Sequence, residues 1–320
     1  MKQQHISVVI PVYKGERSIK SLVEEISAYF QSVTTEYGHE MVVSEVLLVH
    51  DCGPDRSDIT IRQLAHSYPQ VKPVWLTRNF GQHAATLAGM SSATGEWIVT
   101  MDEDGQHDPG DIASLLDHAL VNDLQVVYAQ PLNQPPHTFL RNLTSRISKH
   151  IGRLMMGQVA VEYFHSYRMV RGEIARCLAA YCGHGVYLDV GLLWNAGRFG
   201  RYPVKMRAEE GRTSGYNYGK LLVHFWTMLL TAGKRPLRLI TLLGFSSVLV
   251  AIFTGTYALY EKLTGSVPVQ GWASLVIVVS FFSGCILLSL GMIAEYLAVS
   301  MGIAMGKPLY VIGTGPDKLR

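Results

Sequence analysis

Residues 97–107 read Trp97-Ile98-Val99-Thr100-Met101-Asp102-Glu103-Asp104-Gly105-Gln106-His107. The first five make a short, largely apolar run of the kind that forms a strand buried on both faces. It ends abruptly in two carboxylates at i and i+2, a spacing that puts both on one face of extended backbone. In open α/β sheets, ligands bind just outside the carboxyl ends of the strands. A carboxylate pair there suits a hard divalent cation, Mg²⁺ or Mn²⁺, which takes oxygen ligands and shares them with phosphates. A solvated acidic turn has the same local sequence, so the flanks decide between the two.

Outward from this stretch the chain alternates strand and helix. Ile6–Val12, Val43–Val49 and Val71–Leu76 read as strands upstream, with Gln125–Ala129 a further strand downstream. Between them, a helix capped by Ser18 runs through Leu22, Ile26 and Phe30. Ile59–Ala65, Gln82–Ala93 and Ile112–Leu120 read as further helices. This is the rhythm of a doubly wound, mostly parallel sheet. The residues that follow each strand then carry the interest. After the first strand comes Pro11-Val12-Tyr13-Lys14-Gly15-Glu16, where Tyr13 can stack on a base. After the second comes His50-Asp51-Cys52-Gly53-Pro54-Asp55-Arg56-Ser57. Asp51 can accept hydrogen bonds from a nucleobase edge or a ribose, whereas Asp55 and Ser57 read as helix caps. After the third comes Thr77-Arg78-Asn79-Phe80-Gly81-Gln82, where Arg78 can meet a phosphate beside a helix N-terminus. Tyr, Asp, Arg and paired carboxylates at four strand ends describe a nucleotide-sugar site better than a dinucleotide site. No G-x-G-x-x-G follows the first strand and no G-x-x-x-x-G-K-[ST] occurs, which disfavours a Rossmann dehydrogenase and a P-loop NTPase.

Composition adds a membrane. Of 320 residues, 48% are apolar and 17% charged, against about 25% charged in an average soluble domain. The shortfall in charge argues against a disordered chain, and a net charge of +3 is too balanced to imply a nucleic-acid binder. Cys52, Cys177, Cys182 and Cys285 form neither a zinc-ribbon spacing nor a disulfide framework, as expected of a reduced, cytosol-facing chain. The apolar excess is concentrated in two uncharged runs, the 22 residues Leu239–Tyr260 and the 24 residues Gly271–Ala294. Each exceeds the roughly 20 residues a helix needs to span a bilayer. The linker 261–270 is short, so the two runs predict a transmembrane hairpin. Lys234, Arg235 and Arg238 before it, with Lys307, Lys318 and Arg320 after it, place both its ends in the cytosol. The N-terminus shows no signal-peptide pattern. Thr138–Met156 sets Arg141, Arg146, Lys149 and Arg153 among apolar residues, a basic amphipathic helix that can lie on an anionic membrane surface or simply face solvent.

Taken in order, Val9-Ile10-Pro11-Val12-Tyr13, the His50–Asp55 stretch, Leu76–Gly81 and Met101–His107 resemble the family-2 glycosyltransferases of the GT-A fold. Gly211-Arg212-Thr213-Ser214-Gly215-Tyr216, Arg235-Pro236-Leu237-Arg238 and the hairpin extend the likeness to their polyprenyl-phosphate branch. The resemblance implies a GT-A domain over residues 1–235, with membrane-interface helices at 138–156 and 217–236. Two transmembrane helices would follow over 236–300, then a cytosolic tail over 301–320. It implies a multi-pass protein of the inner (cytoplasmic) membrane that can assemble as a homo-oligomer. The reaction implied is metal-dependent, inverting transfer of a sugar from a UDP- or GDP-linked donor to polyprenyl (undecaprenyl) phosphate. Pro11, Tyr13, Glu16 and Asp51 would hold the nucleoside. Asp102 and Asp104 would handle the diphosphate and metal, with Asp104 the more direct ligand and the chief catalytic residue. Arg207, Arg212 and Ser214 would lie near the phosphates of donor or acceptor, and Arg168 could bind the acceptor phosphate.

Two positions depart from the pattern. His50 stands where many members carry a first acid. Ser166-Tyr167-Arg168-Met169 stands where several carry Asp-Phe-Arg-Leu, so the residue usually assigned as base is a serine. Two explanations compete. A lipid phosphate, with a second pKa of about 6, is already an anionic nucleophile and needs no base; or Asp189 serves as the base. A transferase acting on the hydroxyl of a lipid-linked saccharide would require such a base. A third possibility is a glycosyltransferase-like scaffold without catalysis.

Overall fold

The computed structural model describes residues 2–132, 164–183, 186–207 and 271–315, with scattered positions between 242 and 264. Among the described residues, one mixed, nine-stranded sheet organises the chain, eight of its strands within the N-terminal two thirds. Its strands are β1 (Gln4–Val12), β2 (Val33–Thr34), β3 (Glu40–His50), β4 (Val71–Leu76), β5 (Trp97–Thr100), β6 (Val126–Pro131), β7 (Arg168–Arg171), β8 (Phe199–Val204) and β9 (Ile312–Gly313). Their order is β8-β6-β7-β5-β1-β3-β4-β9, with β2 paired to β3 off this path. The centre, β5-β1-β3-β4, is parallel, while β7 runs antiparallel to both β5 and β6.

Alternation along β1 shows why the sheet is covered on both faces. Ile6, Val8, Ile10 and Val12 join a core with α1 (Ile19–Ile26), α2 (Ser57–Ser67) and α4 (Asp111–Val121). Val9 points the other way, into a core with α3 (Gln82–Ser92), α5 (Gly172–Tyr181) and α6 (Leu188–Asn195). The chain leaves β1 to build β3 and β4 on one side and β5 on the other. The crevice beyond the carboxyl ends of β1 and β5 is therefore the point where the strand order reverses, the place such sheets bind ligands.

Up to residue 131 the anticipated strands and helices are present, with ends that differ by up to a few residues, and three local details differ. Ser18 makes no side-chain cap bond; the amides of Ser18 and Ile19 turn back to the Gly15 carbonyl instead. The first helix ends at Ile26 and passes into a 3₁₀ turn over Ser27–Tyr29. The acidic run is not extended: β5 ends at Thr100 and residues 103–105 turn.

At the C-terminus, α7 (Trp272–Ala304) has an apolar stretch, Phe281–Ala304, long enough to cross a membrane and with none of its apolar window buried. It is the one such helix among the described residues. It contains most of the expected Gly271–Ala294 span. The Leu239–Tyr260 run and the two proposed interface helices lie wholly or partly outside the described residues. Past α7 the chain returns to the sheet. β9 pairs antiparallel with β4, Trp75 opposite Gly313, and the Thr77 amide donates to the Val311 carbonyl at 3.0 Å.

Candidate active site

Three strand ends converge on a cleft of about 340 Å³, within the usual range for a ligand pocket. Pro11 and Tyr13 come from the end of β1, Asp51 from the end of β3, and Asp102 and Asp104 from the turn after β5. These five were anticipated. Asn79, Gly81, Gln82 and Glu103 complete much of the lining; they lie in stretches singled out after the third and fourth strands but had been given no role of their own.

The loops reach this arrangement through close backbone packing. Gly53 lies against the carbonyl of Tyr13, and a Cβ there would stand 1.6 Å from that oxygen. Only glycine permits the loops after β1 and β3 to meet so closely. Asp51 is 3% exposed and accepts hydrogen bonds from the amides of Phe80 at 2.7 Å and Gly81 at 2.9 Å. Those amides become available because Gly81 has φ +90, a conformation a side chain would strain. Burial raises the Asp51 pKa against the pull of the two amides.

Asp102 is the most elaborately held group. Gln82 donates to its Oδ1 and Ser166 to its Oδ2, both at 2.6 Å. The Asp102 amide donates to His107 Nδ1 at 3.0 Å, so the neutral ring carries its proton on Nε2, 3.7 Å from Asp102 Oδ2. Burial lowers the His107 pKa to about 4, keeping the ring neutral at neutral pH. His107 stacks on Tyr167, whose hydroxyl donates to the Asp108 carbonyl, so the acidic turn is closed from within. Burial raises the Asp102 pKa, opposed first by the Ser166 hydrogen bond. Asp104 Oδ1 accepts the Gln106 amide at 3.1 Å, and the side chain faces the cleft.

A divalent cation fits this donor set. Among the described residues no three His, Cys, Asp or Glu side chains cluster as a complete cage. Two carboxylates facing one cleft are the usual protein share of a site completed by substrate phosphates and water.

The other anticipated residues lie elsewhere. Glu16 is exposed, outside the cleft lining, and its carboxylate accepts the Arg56 amide at 3.3 Å. Arg78 is exposed, with its guanidinium over the Phe80 ring at 4.6 Å. Arg207 pairs with Glu25 at 2.7 Å and Asp108 at 3.0 Å, and its amide donates to the Gln106 carbonyl. It braces the acidic turn from behind. Arg168 and Asp189 are each 3% exposed and pair with each other. Arg168 Nε also donates to Thr100 Oγ1 at 3.1 Å, which ties the pair to the end of β5. Arg212 and Ser214 lie outside the described residues.

A parallel-centred sheet with paired carboxylates past its central strand defines the GT-A class of nucleotide-sugar-binding fold. The sequence model of glycosyl transferase family 2 matches residues 7–179, from β1 through α5. The chain belongs to glycosyl transferase family 2. An undecaprenyl-phosphate 4-deoxy-4-formamido-L-arabinose transferase of Pectobacterium carotovorum is 28% identical over 97% of this chain and 93% of its own length. YkcC, an uncharacterized glycosyltransferase of Bacillus subtilis, is 27% identical over 96% and 93%. A mycobacterial protein of known crystal structure aligns with a TM-score of 0.50 at 18% identity, covering 72% of this chain and 74% of that one, which is a likeness of fold.

Proposed function

We propose that the protein transfers a sugar from a nucleotide diphosphate sugar to the phosphate of a polyprenyl carrier, at the cytosolic face of a membrane. The observation that carries this reading is the convergence of Asp51, Asp102 and Asp104 on one cleft. Relatives aligned over nearly their whole length support the acceptor, since several are named for acting on undecaprenyl phosphate.

In this reading Tyr13 and Asp51 hold the nucleoside, and Asp102 and Asp104 face the diphosphate. When bound to these two carboxylates, Mg²⁺ or Mn²⁺ supplies positive charge that stabilises the leaving nucleoside diphosphate. A phosphate oxygen of the carrier attacks the anomeric carbon in line. The bond from that carbon to the diphosphate breaks, and its electron pair leaves with the nucleotide. Configuration at the anomeric carbon inverts. The carrier phosphate is already anionic at neutral pH, so no enzyme base is required. Ser166 therefore has a different task, holding Asp102. Asp189 remains with Arg168 as its counter-ion, and Arg168 serves the acceptor only indirectly, through the end of β5.

The sheet also supports two membrane crossings. Residues before the membrane segment and β9 after it share one sheet, so both lie on the same side. A chain that leaves a side and returns to it crosses an even number of times. In this reading α7, long and apolar enough to cross, is one crossing, and Leu239–Tyr260, the other uncharged run of sufficient length, is the second. A multi-pass hairpin with its catalytic domain in the cytosol, and the positive flanks noted above, are consistent with that count.

The test is nucleotide release by the detergent-solubilised protein from a panel of UDP- and GDP-sugars, with Mg²⁺ or Mn²⁺, with and without undecaprenyl phosphate. Release from one donor that needs both metal and lipid, and disappears in Asp104→Asn, is expected. Release that needs a lipid-linked saccharide instead would replace the acceptor assignment. No release from any donor by folded protein would leave a scaffold.

A further inference from the structure

Glu103 separates the two carboxylates of the acidic run and lines the same cleft, and its carboxylate is engaged by backbone. Its Oε2 accepts the Tyr13 amide at 2.7 Å, and its two oxygens accept the Lys14 amide at 3.0 and 3.1 Å. Two successive backbone N–H groups converging on one carboxylate form an anion-holding concavity. Hydrogen bonds to an ionised acceptor are roughly twice as strong as neutral ones. The approach depends on Gly15, where a Cβ would stand 2.9 Å from Glu103 Oε2 and 2.5 Å from Ile19 Cγ2.

The same loop is held from the opposite side. Gly53 packs on the Tyr13 carbonyl, the Glu16 amide donates to Asp55 at 3.0 Å, and the Arg56 amide donates to Glu16. Residues 13–16 are thus clamped between the loop after β3 and the acidic turn after β5. The acidic turn carries Asp102 and Asp104, and the clamped loop carries Tyr13.

We propose that Glu103 is a positioning residue that locks the Tyr13 loop to the acidic turn, so that the nucleoside and diphosphate ends of the donor are gripped as one unit. This rests on the nucleotide-sugar reading above. Its consequence falls on donor affinity more than on the chemical step, because the group it orders touches the nucleoside.

The experiment uses the full-length protein in detergent and the variants Glu103→Ala, Glu103→Gln and Asp104→Asn. Donor KM, kcat, UDP and GDP binding, and Mn²⁺ half-saturation are measured for each. Hydrogen exchange at the Tyr13 and Lys14 amides reads the clamp directly, without a donor. Glu103→Ala is expected to raise donor KM about tenfold or more, the loss of one or two charge-assisted hydrogen bonds. It should leave kcat within about threefold and Mn²⁺ half-saturation within about twofold of wild type. Glu103→Gln keeps an oxygen acceptor and should recover most of the loss. A rise in Mn²⁺ half-saturation matching that of Asp104→Asn, with donor KM unchanged, would overturn the proposal in favour of a metal ligand. Unchanged constants in both Glu103 variants, or fast exchange at the two amides in the wild type, would overturn it as well. Failure of the wild type to bind any nucleoside diphosphate, with the two amides protected, counts against the nucleotide-sugar reading and not against the clamp.

Discussion

Replacing Asp189 by alanine separates the two roles open to that residue. Arg168 and Asp189 are each 3% exposed, and apart from its counter-ion the guanidinium has the Thr100 hydroxyl as a partner at 3.1 Å. The Tyr128 hydroxyl lies beside the pair, and burial together with the Asp189 charge pushes its pKa up. Asp189→Ala leaves a buried positive charge without compensation, which costs about 3–5 kcal/mol. At 2–4 °C per kcal/mol for a domain of this size, the melting temperature should fall by roughly 6–20 °C. Removing both charges, as Arg168→Met with Asp189→Leu, should restore most of the stability, because buried pairs replaced by apolar groups are often neutral or better. The assay is a thermal melt followed by tryptophan fluorescence, alongside nucleotide release at a temperature where each variant is folded. Activity in Asp189→Ala should then track the folded fraction. If Asp189→Asn instead melts within about 2 °C of wild type and loses turnover by about 10²–10⁴-fold, the magnitude of a missing general base, the counter-ion account is wrong.

Other consequences can be checked separately. Ser166→Ala removes one of the two side-chain hydrogen bonds holding Asp102; a loss of about tenfold in metal half-saturation is expected, against 10²-fold or more in turnover for a base. Glu45 is 1% exposed, and although burial pushes its pKa up, hydrogen bonds from Lys72, Ser7 and Thr94 outweigh this and bring it to about 2. Its folded pKa is below the unfolded one, so its contribution is complete above about pH 4.5 and lost as pH falls through 2, on the order of 3 kcal/mol in all. Glu45→Gln should flatten that acid limb, and an unchanged limb in the variant would refute the assignment. Deleting residues 306–320 removes β9 and the Val311 carbonyl that accepts the Thr77 amide. Exchange at Thr77 should quicken while Val46, whose amide donates to the Gln70 carbonyl, stays protected; equal protection at Thr77 before and after deletion would refute the pairing.

The central sheet was legible because its strands are dense in Val, Ile and Leu and each ends in polar or turn residues. β1, β3, β4 and β5 sit within a few residues of their expected positions. Strands with weaker patterns were not readable. β7 has only Met169 and Val170 between two arginines, and its place between β5 and β6 comes from pairing. β9 is two residues long and exists because β4 offers an unpaired edge. In the site, the carboxylates and Tyr13 followed from their position after strands. The partners that orient them did not, because Gln82, Asp102 and Ser166 come from three distant segments joined only in the fold. The Arg168–Asp189 pair was hidden for the same reason. A sequence shows an acidic residue after a turn, but not the arginine 21 positions earlier that neutralises it. Glu103 was overlooked between two more conspicuous acids, and only its hydrogen bonds to the Tyr13 and Lys14 amides distinguish it.

The most direct test of the account is mass spectrometry of the lipid recovered after incubating the protein with its donor sugar, Mg²⁺ or Mn²⁺ and undecaprenyl phosphate. The predicted product is the carrier lipid with a single phosphate and one added sugar, absent with Asp104→Asn. Unmodified carrier alongside a sugar transferred to a lipid-linked saccharide, or to no lipid at all, would contradict it.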